Sequence, residues 1–396
     1  MALLPIPSPQ AQALSQQLSD LIQQKIKNAG GWISFADFMH MALYTPSLGY
    51  YSGGAQKFGM AGDFVTAPEI SSLFAKTLAL QAAQILAATH GNILELGAGT
   101  GKLVVDLLLE LQQLNQLPEQ YFILEVSDHL RQIQRETCQA NLPANLFEKI
   151  VWLDVLPPTV TIRQEVRGFK GLILANEVLD ALPAHILQKT EDGFCERGVG
   201  FEADFVWRDA PLSVPNLAEN LADCLPVGYI TEVNPAASAL VRGLVETLES
   251  GVILMIDYGF GAAEYYHPQR NQGTLMCHYQ HYAHDNPLIN IGLQDITAHV
   301  DFTQIAQVTN LKSLWQAHGI RLAGYVNQAQ FLINCGILTI LQQFSPQDSS
   351  YIKLAAAAQK LLSPAEMGEL FKVIALSKDF EEDLIGFTEG DKAHKL

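Results

Sequence analysis

The chain has 396 residues, 48% of them hydrophobic, with a formal net charge of −17. This size and composition fit a globular enzyme with one large core or two modest ones, and they set aside fibrous and disordered classes. The negative charge disfavours nucleic acid as a partner, since the sequence holds no lysine/arginine cluster to face phosphates, and no apolar run approaches the ~20 residues of a membrane span.

The amino terminus lacks the charged and apolar regions of a secretory signal, and its first basic residue, Lys25, comes too late for an arginine-rich presequence. The expectation is a cytoplasmic, bacterial protein. The five cysteines (Cys138, Cys195, Cys224, Cys277, Cys335) are scattered without a CxxC, which reads as reduced packing residues.

In chain order, Leu14, Leu18, Leu21, Ile22 and Ile26 recur at helical spacing before Gly30-Gly31. Ser34 is placed to cap a second helix carrying Phe35, Phe38, Met39 and Leu43. The aromatic and glycine-bearing stretch from Tyr44 to Ser71 follows, with the length of a lid or binding loop. Strands are predicted at Asn92–Leu96, Tyr121–Glu125, Ile150–Leu153 and Gly171–Asn176, with helices after Gly101 and Ser127. Short strands such as Phe201–Trp207 and a helix near Asn216–Cys224 read as an insertion. Gly251–Gly259 returns to a buried strand ending in a turn. A helix around Phe302–His318, a strand at Ile320–Val326, helices from Gln328 to about Leu362 and a last strand at Phe371–Leu376 complete the pattern. The predicted fold is α/β, a Rossmann-like doubly wound sheet. An N-terminal helical and lid region is expected over residues 1–90 and the core over 91–396, with insertions at about 184–233 and 328–365.

Chemistry concentrates at Glu95-Leu-Gly97-Ala98-Gly99-Thr-Gly101, where a strand delivers glycines into a helix start. Glycine permits positive φ and close backbone approach, and the helix start offers unpaired N–H groups. The spacing is GxGxG, so the GxGxxG dinucleotide fingerprint is not met. S-Adenosylmethionine carries no pyrophosphate and relies on an acid at the next strand end to accept from both ribose hydroxyls; Glu125 occupies that position, followed by Val126. Asp154, closing the third strand, suits the border of the adenine. Taken singly, each acid reads equally well as a solvated turn residue.

At the end of the fourth strand, Leu-Ile-Leu-Ala runs abruptly into Asn176-Glu177, where open α/β sheets bind ligands. Glu177 could pair with a guanidinium, while Asn176 or Asp180 could instead cap the next helix. His299, within Gln294–Phe302, could relay a proton or orient a carboxylate, and an isolated histidine is as readily structural. The run Cys277–His284 does not have metal-ligand spacing on a helix or a strand, so no metal is expected.

These residues, with Ser34–Phe38, Tyr44–Tyr51, Gly62–Ser71, Asn176–Pro183, Glu232–Pro235, Asp257–Gly259, Gln294–Phe302 and Met367–Phe371, resemble the MidA-like methyltransferases, which include the mitochondrial complex I assembly factor 7 proteins. The resemblance spans nearly the whole chain. It implies a class I methyltransferase fold, S-adenosyl-L-methionine as cofactor, and a protein arginine as acceptor, with a respiratory complex I subunit as one such protein. It puts Glu177 on the guanidinium, with His299 second. A non-catalytic, cofactor-binding assembly factor and a small-molecule methyltransferase are the competing readings.

Overall fold

The computed structural model describes residues 4–53, 66–157, 160–162, 165–219, 221, 225–310, 319–345, 347 and 349–396. They divide into two units that interleave along the chain. The first comprises Met1–Phe64, Asp180–Ala239 and Ala262–His299; the second comprises Val65–Leu179, Leu240–Gly261 and Val300–Leu396.

The second unit is built on strands that read as nearly continuous apolar runs, because a parallel sheet is covered on both faces. They are β1 (Asn92–Leu96), β2 (Tyr121–Leu124), β3 (Ile150–Leu153), β4 (Phe169–Asn176), β5 (Leu248–Phe260), β6 (Ile320–Asn327) and β7 (Phe371–Lys378). Their order is β6-β7-β5-β4-β1-β2-β3. Strands β5, β4, β1, β2 and β3 are parallel, and β7 is antiparallel to both its neighbours. Residues 172–175 and 252–256 are at most 2% exposed, so β4 and β5 form the centre of the core. Glycine is required where β1, β4 and β5 meet: a Cβ on Gly171 (φ 122°) would lie 2.1 Å from the Asn92 carbonyl oxygen.

Helix α1 (Ala67–Ile70) leads into α2 (Ser72–Thr89), whose cap Ser71 accepts the Leu73 N–H. Helix α3 (Lys102–Gln113) turns Leu103, Val104, Leu107, Leu108 and Leu111 inward, and α4 (Asp128–Asn141) buries Leu130, Gln134 and Cys138 at four-residue intervals. The strand order reverses direction at β1, which leaves a crevice between the carboxyl ends of β1 and β4. The chain has the α/β, doubly wound architecture expected from its alternating pattern.

In the first unit, Ser8 caps helix Pro9–Asn28 and Ser34 caps helix Phe35–Tyr44, the latter by accepting the Asp37 N–H. These helices bury Leu18, Ile22, Ile26, Phe35, Phe38, Met39 and Leu43 in a core shared with Ile186 and Val199 of an antiparallel sheet. The run Cys277–His284 forms a hairpin, Met276–Tyr279 with Tyr282–His284, turning at Gln280 and His281 with φ of 47° and 67°.

Four local expectations change. The strand predicted at Phe201–Trp207 is instead the end of strand Gly193–Phe201 and the start of its antiparallel partner Phe205–Ala210. Residues 216–219 form a turn: Asn216 adopts φ 67°, incompatible with a helix starting there, and Leu217 and Leu221 pack on Leu187 and Val233 instead. Residues 220 and 222–224 of that predicted helix lie outside the described residues. The helix expected over Phe302–His318 runs only from Phe302 to Gln307, tightens into a 3-10 turn at Val308–Asn310, and has its remainder outside the described residues. Finally, β4 is followed by bends and turns and then by strand His185–Thr190, so neither Asn176 nor Asp180 has a helix to cap.

Among the described residues no helix is long and apolar enough to cross a membrane. Residues 54–65 of the long Tyr44–Ser71 stretch, including Gly59, Gly62 and Asp63, also lie outside the described residues.

Candidate active site

The loop leaving β1 holds three glycines in the left-handed region, Gly97 at φ 61°, Gly99 at 52° and Gly101 at 85°. L-residues reach that region only at a cost, so the loop's shape depends on glycine. Gly101 is also closely packed, since a Cβ there would lie 3.2 Å from the Gln134 Cα. It starts α3, and its N–H closes a turn on the Ala98 carbonyl at 2.8 Å. Ala98 is 6% exposed and faces the core, so only its backbone is available to a ligand, whereas Gly97 is exposed.

Gln134 fixes this loop from below. Its side-chain amide donates to the Gly99 carbonyl at 3.1 Å and to Glu125 Oε2 at 2.9 Å, and its own Oε1 accepts the Trp152 indole N–H at 3.1 Å. One fully buried side chain therefore connects the loop after β1, the acid after β2 and a residue of β3. Glu125 Oε1 accepts the Ser127 N–H at 3.0 Å. Burial pushes the Glu125 carboxyl above its ordinary range, while the Ser127 and Gln134 bonds pull it back. An ionised carboxylate has about four lone-pair sites, and Ser127 and Gln134 occupy one on each oxygen. The capacity that remains suits a ribose diol.

Val126, next to Glu125, is 70% exposed, an apolar surface suited to covering a heterocycle. Asp154 lies at the surface and pairs with Arg131 at 2.7 Å. Arg131 also donates to the carbonyls of Glu125 and Leu153, tying together the ends of β2 and β3. Beneath the loop, Glu95 is buried and accepts the Tyr121 hydroxyl at 2.6 Å. Burial raises its carboxyl to about 7, against the opposing hydrogen bond from Tyr121.

Across the crevice, Glu177 has φ 55°, a conformation that a non-glycine residue keeps only when its surroundings enforce it. Asp257, fully buried at the end of β5, supplies that enforcement. Its Oδ2 accepts the N–H groups of Val178 and Leu179 at 3.2 and 2.9 Å, and its Oδ1 accepts that of Tyr258 at 2.9 Å. The Glu177 N–H donates to the Ile256 carbonyl at 2.8 Å, and Glu177 Oε1 receives the Asn176 side-chain amide at 3.1 Å.

Glu95, Gly97, Ala98, Gly99, Gly101, Glu125, Val126, Asp154, Asn176 and Glu177 all belong to the second unit, at the carboxyl ends of β1 to β4. His299 belongs to the first unit. There its N–H donates to Thr274 Oγ1 at 3.0 Å, and Thr274 in turn donates to the buried Glu232 carboxylate.

Sequence reasoning passed over Gln134, Asp257 and Glu69. Gln134 leaves a signal, a polar residue on the buried stripe of α4, and Asp257 leaves another, a charge ending an apolar strand. Glu69 leaves none.

The arrangement favours a ligand with cationic character. Glu69, Glu125 and Glu177 surround the crevice, and the loop's own Lys102 is engaged by Asp106 at 2.6 Å. A pyrophosphate would meet carboxylates and no free lysine of the loop, whereas a sulfonium-bearing nucleoside would not be repelled. The residues present therefore fit S-adenosylmethionine.

Comparison with known proteins agrees. A family model described as "Putative S-adenosyl-L-methionine-dependent methyltransferase" matches residues 77–321. The mitochondrial protein arginine methyltransferase NDUFAF7 of Mus musculus is 30% identical, covering 92% of this chain and 86% of its own length. The Homo sapiens protein of the same name is 30% identical, with 90% and 82% covered. A crystal structure from Burkholderia thailandensis bound to S-adenosyl-homocysteine is 45% identical, with a TM-score of 0.93 and 100% of both chains covered.

Two outcomes follow from the site's wiring. Replacing Gln134 by Leu removes two bonds that fix the loop and the ribose acid. Calorimetry should then show affinity for S-adenosylhomocysteine falling by about tenfold, the equivalent of one to two hydrogen bonds, with the melting transition still cooperative; unchanged affinity would dismiss Gln134 as an organiser.

The second concerns pH. Glu95 holds its proton more tightly folded than unfolded, so its contribution to stability is complete below about pH 4.5 and is lost as pH rises through about 7. Urea unfolding of wild type and Glu95→Gln should diverge over that window by up to about 3 kcal/mol, the variant gaining toward neutral pH. A difference that does not vary with pH would contradict the raised carboxyl.

Proposed function

This chain belongs to the S-adenosyl-L-methionine-dependent methyltransferase family, and we propose that within it the chain methylates a guanidinium nitrogen of an arginine in a protein. When bound, the cofactor supplies a methyl group on a positively charged sulfur. The protein's remaining tasks are to aim an acceptor nitrogen along the line of that bond and to stabilise the charge the acceptor carries.

The observation that carries this reading is the constraint on Glu177. Its left-handed backbone is enforced by the buried Asp257, and its Oε1 is steadied by the Asn176 amide. A carboxylate held this firmly at the carboxyl end of β4 matches a planar guanidinium, which donates paired hydrogen bonds to a carboxylate and is immobilised by them. Asn176 acts by orienting Glu177. His299, in the first unit, is the second candidate for handling the proton released when the nitrogen is methylated, imidazole being a side chain suited to general acid–base work.

Arginine as acceptor is supported by two relatives, from mouse and human, each named a protein arginine methyltransferase. The partner is accordingly a protein substrate, and a respiratory complex I subunit is the acceptor that the MidA-like resemblance points to.

The test is transfer of a radiolabelled methyl group from S-adenosylmethionine to proteins of a cell extract, with the modified residue identified by mass spectrometry. Wild type should label arginine. Glu177→Gln should lower labelling by about 100-fold or more while binding S-adenosylhomocysteine within about threefold of wild type. Label on lysine or on a small molecule would overturn the arginine acceptor, and equal labelling by both proteins would remove Glu177 from the chemistry.

A further inference from the structure

Asn176 is 9% exposed, and its Nδ2 donates to Glu177 Oε1. That bond orients the amide, because only its nitrogen can face a carboxylate oxygen. The other end, Oδ1, is then a buried acceptor with no hydrogen-bond partner. Buried acceptors are nearly always satisfied, and one left open at the carboxyl end of a strand in a ligand crevice implies a donor on the ligand.

A second acceptor lies on the same side of the sheet. Glu69, in α1, accepts the Thr100 hydroxyl within the glycine loop. The single hydroxyl proton of Thr100 is committed to Glu69, while its oxygen accepts the Lys102 N–H at 3.4 Å. Two residues before Glu69, the Ala67 N–H reaches Glu177 Oε1 at 3.4 Å. Helix α1 therefore touches the loop after β1 through Glu69 and the rim after β4 through Ala67. Lys102 does not neutralise Glu69, since it pairs with Asp106.

Sheet order decides which part of the cofactor these acceptors serve. Strands β2 and β4 flank β1 on opposite sides. With the ribose assigned to Glu125 at the end of β2, the amino-acid half of S-adenosylmethionine is left for the β1–β4 side. That half carries an α-ammonium group with three N–H donors and a positive charge. We propose that Asn176 Oδ1 and the Glu69 carboxylate form the seat of the cofactor's α-ammonium group. The carboxylate supplies the opposite charge and the amide oxygen a neutral acceptor. The inference rests on the identity of the methyl donor and is independent of arginine as acceptor.

The test uses two ligands that share the nucleoside and the thioether. S-Adenosylhomocysteine carries the amino acid, and 5′-methylthioadenosine does not. Binding of the first is measured by calorimetry and of the second by ligand-detected NMR, which reads millimolar affinities. Glu69→Gln and Asn176→Leu should each weaken S-adenosylhomocysteine by about tenfold or more, the loss of a charge-assisted or buried hydrogen bond, and leave 5′-methylthioadenosine within about twofold of wild type. Thr100→Val, which alters the loop itself, should weaken both ligands together.

Equal weakening of both ligands by Glu69→Gln would overturn the proposal and make Glu69 a brace for the loop. Unchanged affinity for S-adenosylhomocysteine in Asn176→Leu, with methyl transfer lost, would overturn it by assigning Oδ1 to the acceptor substrate. Glu69 is only half-buried, so Glu69→Gln is the variant least prone to disturb folding and decides the question by itself. Wild-type protein that binds neither ligand would instead refute the methyl-donor assignment, a distinct failure.

Discussion

The site depends on one buried amide. Gln134 holds the carbonyl of Gly99 and the carboxylate of Glu125 with the same nitrogen, and the indole of Trp152 holds its oxygen in turn. Because the amide is buried, its three bonds replace water completely, and losing any of them would strand a polar group. The glycine loop, which on conformational grounds alone could adopt many shapes, therefore keeps a fixed position relative to the acid that receives the ribose. Strands β1, β2 and β3 contribute one group each to this arrangement, so the cofactor site is a property of the sheet edge as a whole.

Asp257 plays a corresponding part on the other side of the crevice. A buried carboxylate accepting three backbone N–H groups stands where the capping reading of Asn176 and Asp180 put a helix, and it gives Glu177 a backbone conformation it would not hold unaided. The two side chains divide the work. Gln134 shapes the donor end of the site, Asp257 shapes the rim where the acceptor is expected, and α1 touches both through Glu69 and Ala67.

The parts of this design that were legible in the sequence are those written in short-range chemistry. Strand positions follow from apolar runs, and the ends of β1, β3 and β4 coincide with the polarity changes at Leu96, Leu153 and Asn176. The glycine spacing and Glu125 identify the donor because each lies at a strand end. Gln134 and Asp257 were missed because they have partners 35 and 78 residues away in the chain, beyond any periodicity, although Gln134 stands out as a polar residue on a buried helix stripe and Asp257 as a charge after an apolar run. The helix predicted over Asn216–Cys224 failed at Asn216 for a local reason, its left-handed φ, which residue spacing does not report. The first unit, assembled from three separate segments, was legible only in pieces, since contacts that join distant segments have no counterpart in local patterning.

Taken together, the carboxylates around the crevice and the engaged Lys102 set the charge a ligand must carry, and the GxGxG loop sets the shape it must have. The charge disfavours a pyrophosphate, the spacing does not match the dinucleotide fingerprint, and both admit a sulfonium nucleoside. Calorimetric titration of the purified protein with S-adenosylmethionine and, separately, with NAD tests this most directly. The account requires saturable one-to-one binding of S-adenosylmethionine and no detectable heat with NAD. Binding of NAD alone would contradict it.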